Sequence, residues 1–257
     1  MSGFTAIFKK EMRSYFYSPV AYIVTGLFLF LMGIIFYVFI NIFQQYANMA
    51  RFGQGQGITL DRLVQQLFQN MSFILVFATP FFTMRLFAEE RRQQTFELLF
   101  TSPIRGSELV LGKFFSAFTI VVLMMLFSFV HLVFLIVWGN PDVSTIATGY
   151  LGLALSLGCF LSVGALISAL SSTPGLAFMF NFIALLLLFL LQTIGQRITA
   201  KLGPIDWGAT LTYISPLSHF NPFVDGLIQL KDVVFFLSFM GFMLFLTHKA
   251  VESNRWR

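Results

Sequence analysis

Arg85, Glu89, Glu90, Arg91, Arg92 and Glu97 fall within thirteen positions of a chain that is 57% hydrophobic and 11% charged. The other side chains with chemical potential are scattered. His131 is the only histidine deep in an apolar run, and no carboxylate or thiol stands four residues from it to complete a metal site. His219 and His248 lie at the edges of such runs, where a packing role explains them. Ser171 and Ser172 have no paired base to activate a hydroxyl. Cys159, the single cysteine, excludes an intrachain disulfide and reads as a small apolar filler. Neither a catalytic constellation nor a metal set emerges. The chemistry left is ionic contact, either as a solvated charge cluster beside a membrane or as a docking surface.

The elements that must position those charges are membrane spans. The chain has 257 residues, 35 of them Phe, and a mean hydropathy of +0.82. Runs of about 18 or more apolar residues with few charges cross a bilayer as helices. Six such spans are expected, at approximately 20–43, 66–87, 114–138, 145–170, 175–196 and 233–250. All 257 residues read as one all-α integral membrane domain. Lys9, Lys10 and Arg13 precede the first run, which is too long for a signal-peptide core and reads as a retained anchor. Eleven of the sixteen basic residues fall on the side of the N-terminus and five on the other. The positive-inside rule then places both termini, and the charge cluster, in the cytoplasm. A net charge of +5 divided among loops suits phospholipid surfaces rather than nucleic acid.

Several connecting segments carry their own signals. Phe4, Ile7, Phe8, Met12, Tyr15 and Phe16 form one stripe of a helix at the inner interface, either an anchor or a lever. GQGQG at 53–57 is a flexible link without a phosphate-binding context. After it, Leu60, Leu63, Val64, Leu67 and Phe68 keep helical spacing into the second span. Pro80 in that span removes a backbone donor and crowds the Val76 carbonyl, predicting a kink and a candidate hinge. Ala154, Gly158 and Ser162 stand four apart, a spacing that permits close helix contact within the subunit or at a dimer seam. Before the last span, Asn221 and Pro222 predict a helix start, with Phe223, Val224, Leu227, Ile228 and Leu230 as its apolar face. That outer segment lies at the interface or dips into the membrane and returns. No Asp, Glu, Lys or Arg stands clearly in the middle of a span, which argues against transport driven by a proton or sodium gradient.

A helix over 87–100 would set Phe96, Leu99 and Phe100 on one face and leave Glu89, Glu90, Arg91 and Glu97 partly exposed. Ser102-Pro103 stops it, and Ser107 and Glu108 are placed to start the next helix. The run EERRQQTFELLFTSPIRGSELVLGK, residues 89–113, resembles the signature of permeases of the ABC-2 export family. The tail SPLSHFNPFVDGLIQLKDVVFFLSFMGFMLFL, residues 215–246, is similar to that family's closing hairpin, most of all in its gliding-motility-type subgroup. Gln94 departs from the pattern, standing where glycine commonly precedes the threonine.

The resemblance implies a bacterial cytoplasmic-membrane exporter subunit with no ATPase site or cofactor of its own. ATP and magnesium would sit on a separate cytoplasmic ABC ATPase, and a second copy or a related permease would complete the complex. Glu89, Glu90, Arg91, Arg92 and Glu97 are the matched positions of the inner loop that docks on that ATPase. On this reading Glu89 and Glu90 meet basic partner groups, and Arg92 pairs within the permease. Membrane lipids, and a periplasmic protein at the last outer loop, are the further expected partners. The other reading of the same features is a subunit that transmits ATP-driven motion without moving a substrate.

Overall fold

Hydrocarbon offers a backbone no hydrogen-bond partners, so an apolar chain crosses it as helix. The computed structural model describes residues 3–51, 59–94, 105–139, 141–198, 201–202 and 205–253. In order these form α1 (Gly3–Tyr17), α2 (Pro19–Arg51), α3 (Leu60–Thr83), α4 (Ala88–Arg92), α5 (Gly106–Phe127), α6 (Phe129–Gly139), α7 (Val143–Leu170) and α8 (Pro174–Arg197). A two-residue antiparallel ribbon follows, β1 (Lys201–Leu202) with β2 (Ile205–Asp206). Then come α9 (Trp207–Ile214), α10 (Pro216–Val224) and α11 (Leu230–Ser253).

Among the described residues, six helical stretches are long and apolar enough to cross a membrane: Pro19–Met49, Leu60–Arg92, Gly106–Val137, Val143–Leu170, Pro174–Arg197 and Leu230–Ser253. The expected all-helical, six-span architecture is therefore present, with longer spans. The second begins at Leu60 rather than 66, because the Leu60 to Phe68 stripe runs straight into it. The third begins at Gly106 rather than 114 and breaks at Ser128. There the Ser128 hydroxyl lies 2.6 Å from the Met125 carbonyl and 3.1 Å from Met71 Sδ. His131 Nδ1 lies 3.1 Å from the Ser128 carbonyl, and its ring meets Phe36 edge-on. Packing thus accounts for His131.

The core is organised around α7, which touches α3, α5, α8, α10 and α11. In its most apolar stretch 72% of residues are buried, against 11% in α2, so α7 is the axis and α2 the rim. A Cβ on Gly158 would overlap Met240 of α11, and one on Gly152 would overlap Phe223 of α10. Ser162 is buried and Ala154 is half-buried. The small residues therefore bring helices of the same subunit together, and Gly158 is not available to a dimer seam. Pro80 lies inside α3, where Thr79 Oγ1 donates to the Val76 carbonyl at 2.9 Å. That hydroxyl occupies the acceptor the proline leaves free.

α1 lies along the start of α5, with Ile7 over Gly112 and Phe4 edge-on to Phe115. Of the expected stripe, only Phe16 turns outward. The end of α11 reaches the same region, since His248 stands beside Gly106 at the start of α5. α1 and the end of α11 therefore share one end of the bundle.

At the opposite end, α9 and α10 form a hairpin whose second helix packs on α7, α8, α11 and α3. The cap–proline pair here is Ser215–Pro216, not Asn221–Pro222, because Ser215 Oγ accepts from Leu217 N. Phe220, Phe223 and Val224 are buried, but α10 ends at Val224 and Gly226 takes a left-handed conformation, φ +83°. Leu227, Ile228 and Leu230 are consequently exposed rather than part of the expected apolar face. His219, 5% exposed, joins α10 to α11 through Asp232, 1% exposed, at 2.6 Å from Nδ1 to Oδ1. Its Nε2 lies 2.9 Å from the Tyr213 carbonyl. Both ring nitrogens are thus within hydrogen-bond distance of an oxygen.

Removing one member of a buried hydrogen-bonded pair leaves the other unsatisfied at a cost of about 1–3 kcal/mol, more where that group is charged, whereas replacing both with apolar groups is often nearly neutral. His219→Phe is therefore expected to lower stability in detergent by about that amount, and adding Asp232→Leu to restore most of it. Thermal unfolding of the single and double variants checks this. Additive losses in the double variant would show that the pair is not the joint.

Candidate functional site

The structure divides the charged cluster between two surfaces. α3 ends at Thr83, and after one turn α4 starts at Ala88. Its first free backbone donors are satisfied from the bundle axis: Phe87 N and Ala88 N donate to Ser168 Oγ of α7, at 3.0 and 3.2 Å. Thr83 Oγ1 in turn accepts from Asn181 Nδ2 of α8 at 2.7 Å. The joint between α3 and α4 is thereby mounted on α7 and α8. Within α4, Glu89 and Glu90 occupy the first turn and Arg91 and Arg92 the last, matching the charges to the partial charges at the helix ends.

Glu90 and Arg91 point into the protein. Glu90 Oε1 accepts from Lys113 Nζ of α5 at 2.9 Å, and Glu11 Oε1 of α1 accepts from the same nitrogen at 2.9 Å. The Lys113 side chain is 2% exposed, and its ammonium also stands 5.4 Å from the centre of the Phe87 ring. Lys10 Nζ lies 3.9 Å from Glu90 Oε1 on the solvent side. A buried ammonium is tolerable only when paired and hydrogen-bonded, and here two carboxylates and an aromatic face surround it. Lys113 thus ties α1, α4 and α5 together. Nearby, Tyr15 of α1 donates to the Phe82 carbonyl of α3 at 2.8 Å. Burial pushes its phenol up, Glu11 adds to the effect and Arg85 opposes it, so the hydroxyl keeps its proton and remains a donor.

Arg91 Nη1 donates to the Leu170 carbonyl at 3.3 Å, at the C-terminal end of α7. A cation there complements the helix dipole and fixes α4 to the α7–α8 turn. Glu90, expected to meet a partner protein, is instead committed to Lys113. Glu89, Arg92 and Gln93 face outward: Arg92 Nη2 and Gln93 Nε2 both donate to Glu89 Oε1, at 2.7 Å each. The expected intramolecular pairing of Arg92 is present. Glu97, Phe96, Leu99, Phe100 and Ser102-Pro103 lie outside the described residues.

The expected helix over 87–100 does not run through. α4 ends at Arg92, and Gln94 has φ 55°, the sole non-glycine residue with positive φ among the described residues. This is the position where the sequence departs from glycine. The left-handed conformation is adopted anyway, at the steric cost of a Cβ. Downstream, α5 starts at Gly106 with Arg105 as its cap residue, rather than being capped by Ser107. Glu108 accepts from Arg105 N at 3.2 Å, so the acidic residue provides the closure expected of the serine.

Local spacing does not reveal the roles of Lys113, Glu11 and Ser168. Lys113 is flanked by Leu109, Val110, Leu111, Phe114 and Phe115. Glu11 falls on the same stripe as Phe4, Ile7, Phe8 and Met12, an acid on an otherwise apolar face. Each was legible as a charge in the wrong environment, which is the mark of a buried pair. Among the described residues no three His, Cys, Asp or Glu side chains come close enough to hold a metal.

The family model for ABC-2 family transporter proteins matches residues 5–250. The chain belongs to that family. An ABC-2 protein is the membrane subunit of an ABC transporter; such subunits normally lack an ATPase site and generally work with a cytoplasmic ATPase. Among curated proteins no relative matches this chain.

Gln94→Gly removes the penalty of a side chain at positive φ, about 1–2 kcal/mol before glycine's greater unfolded-state freedom is subtracted. A net gain of about 0.5–1 kcal/mol is expected, and a loss for Gln94→Val, both read from thermal unfolding. A loss with glycine would contradict the left-handed assignment.

Proposed function

We propose that this ABC-2 protein is the permease subunit of an ATP-driven exporter, with the outward face of α4 as the docking surface of its ATPase. The observation that carries the reading is the division of one short helix. Glu90 and Arg91 weld it to α1, α5 and α7, while Glu89, Arg92 and Gln93 form a hydrogen-bonded polar face left to solvent. A structural surface charge cluster has no need of such anchoring. A force-bearing contact does, because a push on α4 must reach the spans without being absorbed by a loose loop. With both termini in the cytoplasm, as the basic residues favour, that face meets ATP-dependent partners in the cytosol. ATP and magnesium belong to the partner, and a second copy or a related permease completes the assembly in a bacterial inner membrane. Bending at Pro80 belongs to this proposal. Aromatic, uncharged spans suit a lipid-linked or amphiphilic cargo.

The gliding-motility-type resemblance keeps one further reading, a subunit that conveys motion to an outer partner. It is favoured by the α9–α10 hairpin, which bears exposed Trp207, Tyr213 and Ile214 at the end opposite α4. Vesicles that move no substrate, yet show nucleotide-dependent changes in an outer partner, would select it.

Arg92→Glu places an acid beside Glu89 on the exposed face and leaves the Lys113 contacts in place. Copurification of the ATPase from mild detergent is expected to fall by about tenfold or more, the scale of losing one or two charge-assisted contacts, with unchanged thermal stability of the permease. Wild-type copurification and ATPase stimulation would place the docking surface elsewhere.

A further inference from the structure

Beside α4 lies a cleft of about 600 Å³ between α1, the start of α2, the end of α3, α4 and the first turn of α8. Apolar Val20, Ala21, Phe81 and Pro174 form part of its lining, and Lys10, Ser14 and Arg85 are among the polar residues of the rest. Four basic residues line it against three acidic ones. Lys113 is held by Glu11 and Glu90, Lys10 stands near Glu90, and Arg92 is held by Glu89. Arg85, an exposed residue, makes no ion pair or hydrogen bond among the described residues. The cleft therefore presents one uncompensated guanidinium in a partly apolar lining at the end of a membrane span.

We infer that this cleft binds an anionic phospholipid of the leaflet at the termini end, its phosphate on Arg85 with Lys10 and Ser14 alongside. The charge count calls for one anion. A guanidinium at a span end matches a phosphate diester in geometry and in depth. The apolar lining calls for an acyl chain rather than a free anion, and Phe81 within it is exposed. A zwitterionic headgroup would bring its own cation into a site that already has one in excess. The bound lipid would fill the space between α1 and α3, completing the unit that Lys113 ties together. This inference rests on the cleft's lining, which shares Glu89, Arg92 and Gln93 with the proposed docking face, so it is tested on the permease chain without an ATPase.

The test uses the purified, delipidated full chain in detergent and native mass spectrometry with dioleoyl phosphatidylglycerol, dioleoyl phosphatidylcholine and inorganic phosphate. One phosphatidylglycerol is expected to bind about tenfold more tightly than phosphatidylcholine. Arg85→Gln should lower that affinity about five- to tenfold and Arg85→Lys much less, the scale of one interfacial cation. Gly175→Trp is the independent variant. Gly175 lines the cleft and a Cβ there meets nothing within 4 Å, so a bulky side chain at this position is expected to narrow the cleft and reduce binding as well. Phosphatidylglycerol binding that survives both variants unchanged would overturn the inference. So would inorganic phosphate displacing the lipid at equal concentration, because the ligand would then be the free anion.

Discussion

A single ammonium group, that of Lys113, ties together the end of this molecule that carries α1, α4 and the start of α5. It is almost wholly removed from water, and the carboxylates that make its burial tolerable come from two other helices, Glu11 on α1 and Glu90 on α4. Each helix is a poor independent element. α1 is an amphipathic segment of 15 residues and α4 has only 5, lengths at which isolated helices are marginal in water. Their positions are set by the ion they share. A buried charge is unforgiving of partial disassembly, since losing either partner leaves the remainder uncompensated. α1, α4 and the start of α5 therefore gain by moving as one body.

That body is connected to the spans by contacts of a different kind. Ser168 receives the first amides of α4, Arg91 closes the end of α7, and Asn181 reaches Thr83 at the end of α3. All converge on α7 and its neighbour α8. α7 in turn is the helix whose small residues admit α10 and α11 at close range. A displacement at α4 thus has a continuous packed route to the hairpin at the far end, where His219 and Asp232 make the corresponding polar joint. The proposed coupling to a separate ATPase at α4 would require such a route.

Much of this was legible in the amino-acid order. Hydropathy gave six spans because the bilayer imposes a length on apolar helices, and the Leu60 to Phe68 stripe already pointed to the longer second span. The charged cluster was visible, but its division into inward and outward members was not. Which way Glu90 turns depends on Lys113, 23 residues later in the chain, and on the placement of α1, neither of which local spacing reports. The Asn221-Pro222 pair misled because Ser215-Pro216, six positions earlier, offers the same start signal, and only packing against α7 decides between them. The break at Ser128 had no signal beyond a serine in an apolar run. Gln94 was legible as a departure from the pattern the sequence resembles, and the backbone there takes the left-handed conformation that favours glycine.

The most direct measurement is the distance distribution between spin labels on Lys9 of α1 and Gln93 of α4, both exposed, in a background with Cys159 replaced by Ala. If Lys113 binds the two helices into one body, the distribution is narrow in the parent protein and broadens markedly with Lys113→Met. A distribution of the same width in both would contradict the account, since α1 and α4 would then be held in register by something other than the shared ammonium.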